Sequence, residues 1–141
     1  VRASRSVFFP NTESVMGWTI SESGFEVVLS AEVPDLVQSK IRENVESFLK
    51  DEGLQLSDLT HYVCHPGGPK VLKAIEEALE LDEEALSVSW ESLEEMGNLS
   101  SASVLINLSK PMSQKPPSGS LGLLLAMGPG FCAELVLLEW P

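Results

Sequence analysis

Val63-Cys64-His65-Pro66-Gly67-Gly68-Pro69 sets the architecture of this chain, because a strand must end and a helix must begin within it. His61 to Cys64 fits a short buried strand. Lys70 to Leu81 carries Val71, Leu72, Ile75, Ala78 and Leu79 at the three-to-four spacing of an amphipathic helix. Only Pro66-Gly67-Gly68-Pro69 joins the two. One small helix further on stands Met96-Gly97-Asn98-Leu99-Ser100-Ser101, in which Gly97 ends one helix and Asn98 is the N-cap of the next. A histidine ending a strand and an asparagine opening a helix are two hydrogen-bond donors that can converge on one carbonyl oxygen.

Around this centre the pattern predicts a strand over Ser4 to Phe9, a turn at Pro10-Asn11-Thr12 and a strand over Gly24 to Ser30, stopped by Pro34. A helix follows from about Asp35, since Leu36, Val37, Ile41, Val45, Phe48 and Leu49 recur on one face; Gly53 terminates it. A third, irregular helix is expected over Glu83 to Glu95, its acidic residues forming a solvated face. The helix from Asn98 to about Ser109 has so little polar surface that burial on nearly all sides is expected. Pro111 to Ser118 reads as a loop. Ser120 to Met127 and Phe131 to Trp140 read as two core strands around the hairpin Gly128-Pro129-Gly130. Strands alternating with helices and closing on a hairpin predict an α/β layered domain.

The 141 residues, 43% of them apolar, suffice for a single globular domain. The longest apolar run, near Leu121 to Met127, is strand-sized, so no membrane span is expected, and Val1-Arg2-Ala3-Ser4-Arg5 does not lead into a secretory signal. Cys64 and Cys132 lack the density of a secreted disulfide scaffold and predict reduced thiols in a cytoplasmic protein. A net charge of −12 repels nucleic acid and anionic membranes and makes a poor landing site for phosphates.

Pro66 pins the backbone of His65, and the paired glycines let the chain pass close to a bound molecule. The local sequence is equally compatible with a hydrogen-bonded structural histidine in a strand-to-helix turn, and Asn98 with a helix cap that has no other purpose.

Taken together, these segments resemble the C-terminal half of the type III polyketide synthases, the chalcone and stilbene synthase family. His65-Pro66-Gly67-Gly68-Pro69 resembles that family's histidine motif, Gly97-Asn98-Leu99-Ser100-Ser101-Ala102 its asparagine motif and Gly128-Pro129-Gly130-Phe131 its C-terminal loop, with Glu32-Val33-Pro34 and the next helix also in place. The ketoacyl synthases III share the fold and a similar Gly-Asn-x-Ser signature, but a Gln-Ala-Asn type sequence follows their histidine where Pro66-Gly67-Gly68-Pro69 stands here.

The resemblance implies one half of a thiolase-like fold, a mixed sheet flanked by helices. It also implies a decarboxylative Claisen condensation of an acyl-CoA starter with malonyl-CoA. His65 and Asn98 would donate to the thioester oxygen as charge develops there, and His65 would pair with a cysteine thiolate. Ser100 falls beside the family's active site, where a first-turn helix serine is the competing explanation. Gly128, Pro129 and Gly130 fall on its cyclisation loop, where a structural hairpin would serve as well. The position of the plant aromatic gatekeeper falls on Val27, which puts an aromatic starter in doubt and favours a long-chain acyl starter giving alkylpyrones or alkylresorcinols.

No cofactor or metal is implied beyond the CoA thioesters. The family's nucleophilic cysteine lies in an N-terminal half that the sequence does not include. Cys64 should face away from His65, Cys132 reads as a small core residue, and Lys70 and Lys73 are the only local pair of cations placed to meet CoA, with solvated helix lysines the competing explanation. The expectations are therefore an inactive isolated chain, a homodimer when that half is present, and self-association through apolar surface including the Leu99 to Leu108 helix. The alternatives are a ketoacyl synthase III-like half and a non-catalytic thiolase-like interaction module.

Overall fold

The computed structural model of the chain describes residues 1–82 and 84–141. Its elements run β1 (Ala3–Phe8), β2 (Met16–Ser21), β3 (Gly24–Leu29), α1 (Val33–Asp51), a 3-10 turn (Leu56–Asp58), β4 (His61–Cys64), α2 (Pro69–Leu79), α3 (Ser87–Met96), α4 (Ser101–Gln114), β5 (Leu121–Gly128) and β6 (Cys132–Glu139). Four strands form one mixed sheet in the order β1-β6-β5-β4, and β2 with β3 forms a separate ribbon. β5 and β6 pair antiparallel as the expected hairpin, β1 lies antiparallel on β6, and β4 lies parallel to β5, from His61 opposite Gly122 to Cys64 opposite Leu125.

Alternation along these strands divides the side chains between two helical layers. Cys64, Leu123, Leu125, Leu135 and Leu137 enter a core with Val37, Ile41, Val45, Phe48 and Leu49 of α1 and Leu72, Ile75 and Leu79 of α2. Val63, Leu124, Val136 and Leu138 face the other way, against Val104 and Leu108 of α4 and the ring of Trp140. At about 1.5–3 kcal/mol for each large apolar side chain fully buried, these two contacts fix the register of β4, whose slip by one residue would exchange the faces.

Several boundaries depart from the sequence pattern for identifiable reasons. α1 begins at Val33, ahead of the expected Asp35, because Pro34 occupies its first turn, where no N–H is needed. Gly53, at φ +73°, follows its end as expected. α2 stops at Leu79 because Glu80 turns left-handed, so Leu81 lies outside it. α3 spans Ser87–Met96, and the expected start at Glu83 lies outside the described residues. The ribbon strand β2 was not expected.

The largest correction concerns α4. Asn98 does not cap it: Ser100 is the flanking residue, and the helix runs through Pro111 to Gln114 instead of ending near Ser109. Pro111 is tolerated although it cannot donate to the carbonyl of Asn107. Nor is the helix buried on nearly all sides. Val104 and Asn107 are buried, while Leu99 ahead of the helix and Leu105, Ile106 and Met112 within it are exposed, which agrees with the expected apolar surface over Leu99 to Leu108.

Gly122 supplies a close approach that its neighbours require. A Cβ there would lie 2.7 Å from Cζ3 and 2.9 Å from Cη2 of the buried Trp140 ring and 3.2 Å from Cβ of His61. That ring packs against His61 at 4.8 Å between centroids with the planes tilted by 55°, so it has little room to retreat. Gly122→Ala is expected to lower stability by about 1–3 kcal/mol, the usual cost of overpacking. A drop in the urea midpoint at unchanged slope would show it.

Candidate active site

Parallel pairing brings the carboxyl ends of β4 and β5 to the same end of the sheet, and the chain leaves each strand there with a loop. After β4 come His65 and Gly67; Met127 lies in the last pairs of β5, and Pro129 follows that strand. Both segments line a cavity of about 570 Å3. Its remaining walls are Met16, Trp18, Val27 and Leu29 of the ribbon, residues 30, 31, 33 and 34 entering α1, Lys70 and Val71 at the start of α2, and Asn98 and Ser100 ahead of α4. His65, Asn98, Ser100, Val27 and Pro129, the candidates from the sequence, therefore share one cavity. Gly128 and Gly130 do not line it; they hold the hairpin, and the Gly130 N–H donates to the Met16 carbonyl at 2.8 Å, tying the ribbon to the turn.

His65 is placed by its backbone. Its N–H continues the parallel ladder by donating to the Leu125 carbonyl at 2.8 Å, and its own carbonyl accepts the Gly67 N–H at 2.9 Å in a tight turn around Pro66. The imidazole is half-buried, and burial lowers its pKa below the ordinary histidine value by penalising the charged ring. A neutral ring keeps one N–H to donate and one bare nitrogen to accept.

Asn98 is exposed at the cavity rim, and its amide orientation is settled by partners of opposite polarity. Oδ1 accepts the Ser100 N–H at 2.8 Å, and Nδ2 donates to the Gly67 carbonyl at 3.2 Å. An amide nitrogen carries two hydrogens, so one remains for a ligand. The same bonds hold Ser100 at φ 58° and ψ −138°, a conformation that side chains rarely adopt, while the buried Ser103 hydroxyl accepts the Leu99 N–H at 2.8 Å. Such backbone costs of order 1–3 kcal/mol and persists where surrounding contacts over-determine it. The asparagine motif is thus a strained, cross-tied loop.

The thiols are elsewhere. Cys64 points into the helix-covered core on the opposite face from His65, as strand alternation requires, and burial pushes its pKa up to about 12. Cys132 departs from the expected core position. It is half-buried at the start of β6, its thiol lies 3.7 Å from the Pro129 carbonyl, and burial together with Glu134 raises its pKa. Lys70 reaches the cavity, whereas Lys73 is exposed along α2 and does not line it. Despite the chain's net charge of −12, no carboxylate lines this cavity among the described residues. Nor, among them, does any cluster of His, Cys, Asp or Glu suit a metal ion, and no helix is long and apolar enough to cross a membrane.

The ribbon's share of the wall was not foreseen, yet it carried a signal. Met16, Trp18 and Ile20 alternate with Gly17, Thr19 and Ser21, and the register sets Met16 opposite Leu29, Trp18 opposite Val27 and Ile20 opposite Phe25 on one apolar face. A period-two pattern flanking Glu22-Ser23 would have identified the hairpin.

Known proteins resemble this chain in sequence and fold. The family model described as "Chalcone and stilbene synthases, C-terminal domain" matches residues 1–140. The chain is 50% identical to the 1,3,6,8-tetrahydroxynaphthalene synthase of Streptomyces peucetius subsp. caesius, over 99% of this chain and 37% of that protein. It is 31% identical to the alpha-pyrone synthesis polyketide synthase-like Pks18 of Mycobacterium tuberculosis, over 99% of this chain and 36% of that one. The solved 1,3,6,8-tetrahydroxynaphthalene synthase of Streptomyces coelicolor, a bacterial type III polyketide synthase, superposes with a TM-score of 0.91 at 31% identity, covering 99% of this chain and 40% of that chain. The chain thus spans less than two fifths of the length of these curated relatives. Its mixed sheet and flanking helices are the thiolase-like fold of such synthases, and the chain belongs to the chalcone and stilbene synthase family of type III polyketide synthases, whose C-terminal domain it carries.

Proposed function

We propose that the complete protein condenses an acyl thioester with malonyl-CoA, and that this domain supplies the groups that stabilise the oxyanion. Malonyl-CoA loses carbon dioxide, the resulting enolate carbon attacks an acyl thioester held on cysteine, and the new carbon–carbon bond forms as the carbon–sulfur bond breaks. Negative charge gathers twice on a thioester oxygen, first in the enolate and then in the tetrahedral adduct. The observation that carries this reading is the shared cavity of His65 and Asn98, with one ring N–H and one unspent amide N–H at the carboxyl end of the parallel strands. Lys70 at the rim is the local cation suited to a CoA phosphate.

The nucleophile comes from outside this domain. Cys64 is buried with its pKa pushed up to about 12, so its thiolate is scarce near neutrality, and the Cys132 thiol is also raised. An N-terminal half carrying the cysteine and much of the CoA site, in a cytoplasmic homodimer, completes the proposal; the exposed apolar residues of α4 and the ribbon are surface for such contacts.

For the product, the 50% identity to a 1,3,6,8-tetrahydroxynaphthalene synthase favours a polyhydroxylated aromatic assembled from malonyl units. A ring system oxygenated at alternate carbons is what two-carbon units yield on cyclisation. A second reading is favoured by the wall itself: Val27 beside Met16 and Leu29 offers apolar room for a long-chain acyl starter released as an α-pyrone, the product class in the name of the 31% identical relative. Incubating the complete protein with malonyl-CoA alone, and then with a long-chain acyl-CoA added, separates them. A naphthalene tetraol from malonyl-CoA alone supports the first, whereas alkylpyrone formed only with the acyl-CoA supports the second.

His65→Ala or Asn98→Ala in the complete protein should each lower the condensation rate by about 10² to 10³, the usual cost of one oxyanion donor. This chain by itself should release no CoA from the same substrates, and steady turnover would count against the division of labour.

The lowered His65 pKa also sets a pH limb. As pH falls, the unfolded chain takes up a proton at the ordinary histidine value while the folded ring still resists, so this contribution to stability is present above that value and lost as the pH drops towards the folded pKa. His65→Gln should flatten that limb in thermal melts of the chain. NMR titration of the His65 ring should find its midpoint below that of an exposed histidine.

A further inference from the structure

We propose that Ser89 and Asn107 are positioning residues for His65, acting through the peptide group that joins it to Cys64. β4 is the edge strand of the sheet, so each of its peptide groups has one side on β5 and one side facing outward. The N–H of the Cys64–His65 peptide points inward, to the Leu125 carbonyl at 2.8 Å. Its carbonyl must therefore point outward, where a buried oxygen would otherwise lack a partner. Two helices supply partners there: the Ser89 hydroxyl of α3 donates to the Cys64 carbonyl at 2.8 Å, and the Asn107 amide of α4 donates to it at 3.0 Å. Asn107 Nδ2 also lies 3.3 Å from Ser89 Oγ, and both side chains are 1% exposed or less.

One peptide plane is thus held at both poles by β5, α3 and α4, and the next bond along the chain carries the His65 side chain. The same helix leads back to Asn98, whose amide grips the Gly67 carbonyl. The α4 segment is therefore tied to the histidine turn at two points, Asn107 to residue 64 and Asn98 to residue 67, which fixes the two candidate donors relative to each other. Simple packing does not account for Asn107, because its Oδ1 is buried without a hydrogen-bond partner. A leucine of similar volume would remove that unsatisfied acceptor, yet it would also release one pole of the peptide.

The inference rests on the reading of His65 as an oxyanion donor, and its test separates the two. In the complete protein, Asn107→Leu, Ser89→Ala and Ser89→Thr are compared with the parent for condensation kinetics, Tm and hydrogen exchange at the His65 amide. Asn107→Leu and Ser89→Ala should each lower kcat about tenfold or more with KM for malonyl-CoA changed less than about twofold, because misplacing a donor costs rate and not binding. Tm should move by less than about 5 °C, and Ser89→Thr, which keeps the hydroxyl, should restore kcat. Exchange at the His65 amide should quicken about tenfold in the two deleting variants. Unchanged kcat and unchanged exchange would overturn the inference, as would losses that follow Tm and are not restored by threonine. Where the parent itself shows no turnover, the oxyanion reading fails, and the exchange measurement alone still decides whether Ser89 and Asn107 hold His65.

Discussion

Parallel pairing of β4 with β5 is the constraint on which the rest of this domain depends. Two parallel strands cannot be joined by a tight turn, so the chain between Cys64 and Leu121 must travel back along the sheet. It does so as α2, α3 and α4. α2 covers the face shared with α1, α4 covers the opposite face, and α3 and α4 meet the outer edge of β4 between them. The edge is thereby closed by side chains rather than by another strand, a recognised way of keeping an edge from pairing with other chains. The crossover also returns the chain so that both carboxyl ends lie at one end of the sheet, where ligand crevices of parallel α/β sheets generally form.

Apolar burial and polar cross-ties perform different tasks here. The leucines of β5 and β6 and the stripes of α1 and α2 supply most of the stabilisation, at about 25 cal/mol per Å2 removed from water. They specify which face of each strand points inward but leave the turns undetermined, because a Leu–Leu contact tolerates small displacements. The turns are set by directional bonds of about 1 kcal/mol apiece: Gly67 N–H to the His65 carbonyl, Asn98 to Gly67 and to Ser100, Gly130 N–H to the Met16 carbonyl. Ser100 shows the balance, since its unfavourable backbone survives only because Asn98 and Ser103 grip the loop on either side.

The features legible in the sequence were those with a strong local cause. β4, α2 and the β5–β6 hairpin followed from apolar periodicity punctuated by Pro and Gly, and the histidine and asparagine motifs carried the family resemblance. The sequence pattern misplaces both ends of α4. Its apolar residues occur all round, so periodicity could not say which face would be covered, and Pro111 reads as a breaker although this helix accommodates it. Asn98 looked like a cap because Asn so often is one. Its Oδ1 instead accepts the Ser100 N–H ahead of the helix, and one of its two amide hydrogens goes to the Gly67 carbonyl, a contact 31 residues away in sequence that no local rule encodes. β2 was overlooked because its alternation is short and its apolar residues are largely exposed. Ser89 and Asn107 gave no signal, since a buried serine and asparagine resemble their surface counterparts until tertiary contacts are known.

Charge placement completes the picture of the cavity. Carboxylates stand in exposed pairs such as Arg42 with Glu46 and Glu80, while the cavity wall carries Lys70 and no carboxylate among the described residues. A carboxylate beside His65 would favour the imidazolium and raise its pKa. Without one, burial prevails and the pKa falls, so the neutral ring predominates near pH 7. A neutral imidazole can lend an N–H to a developing oxyanion without surrendering a proton to it, and an amide beside it can do only the same.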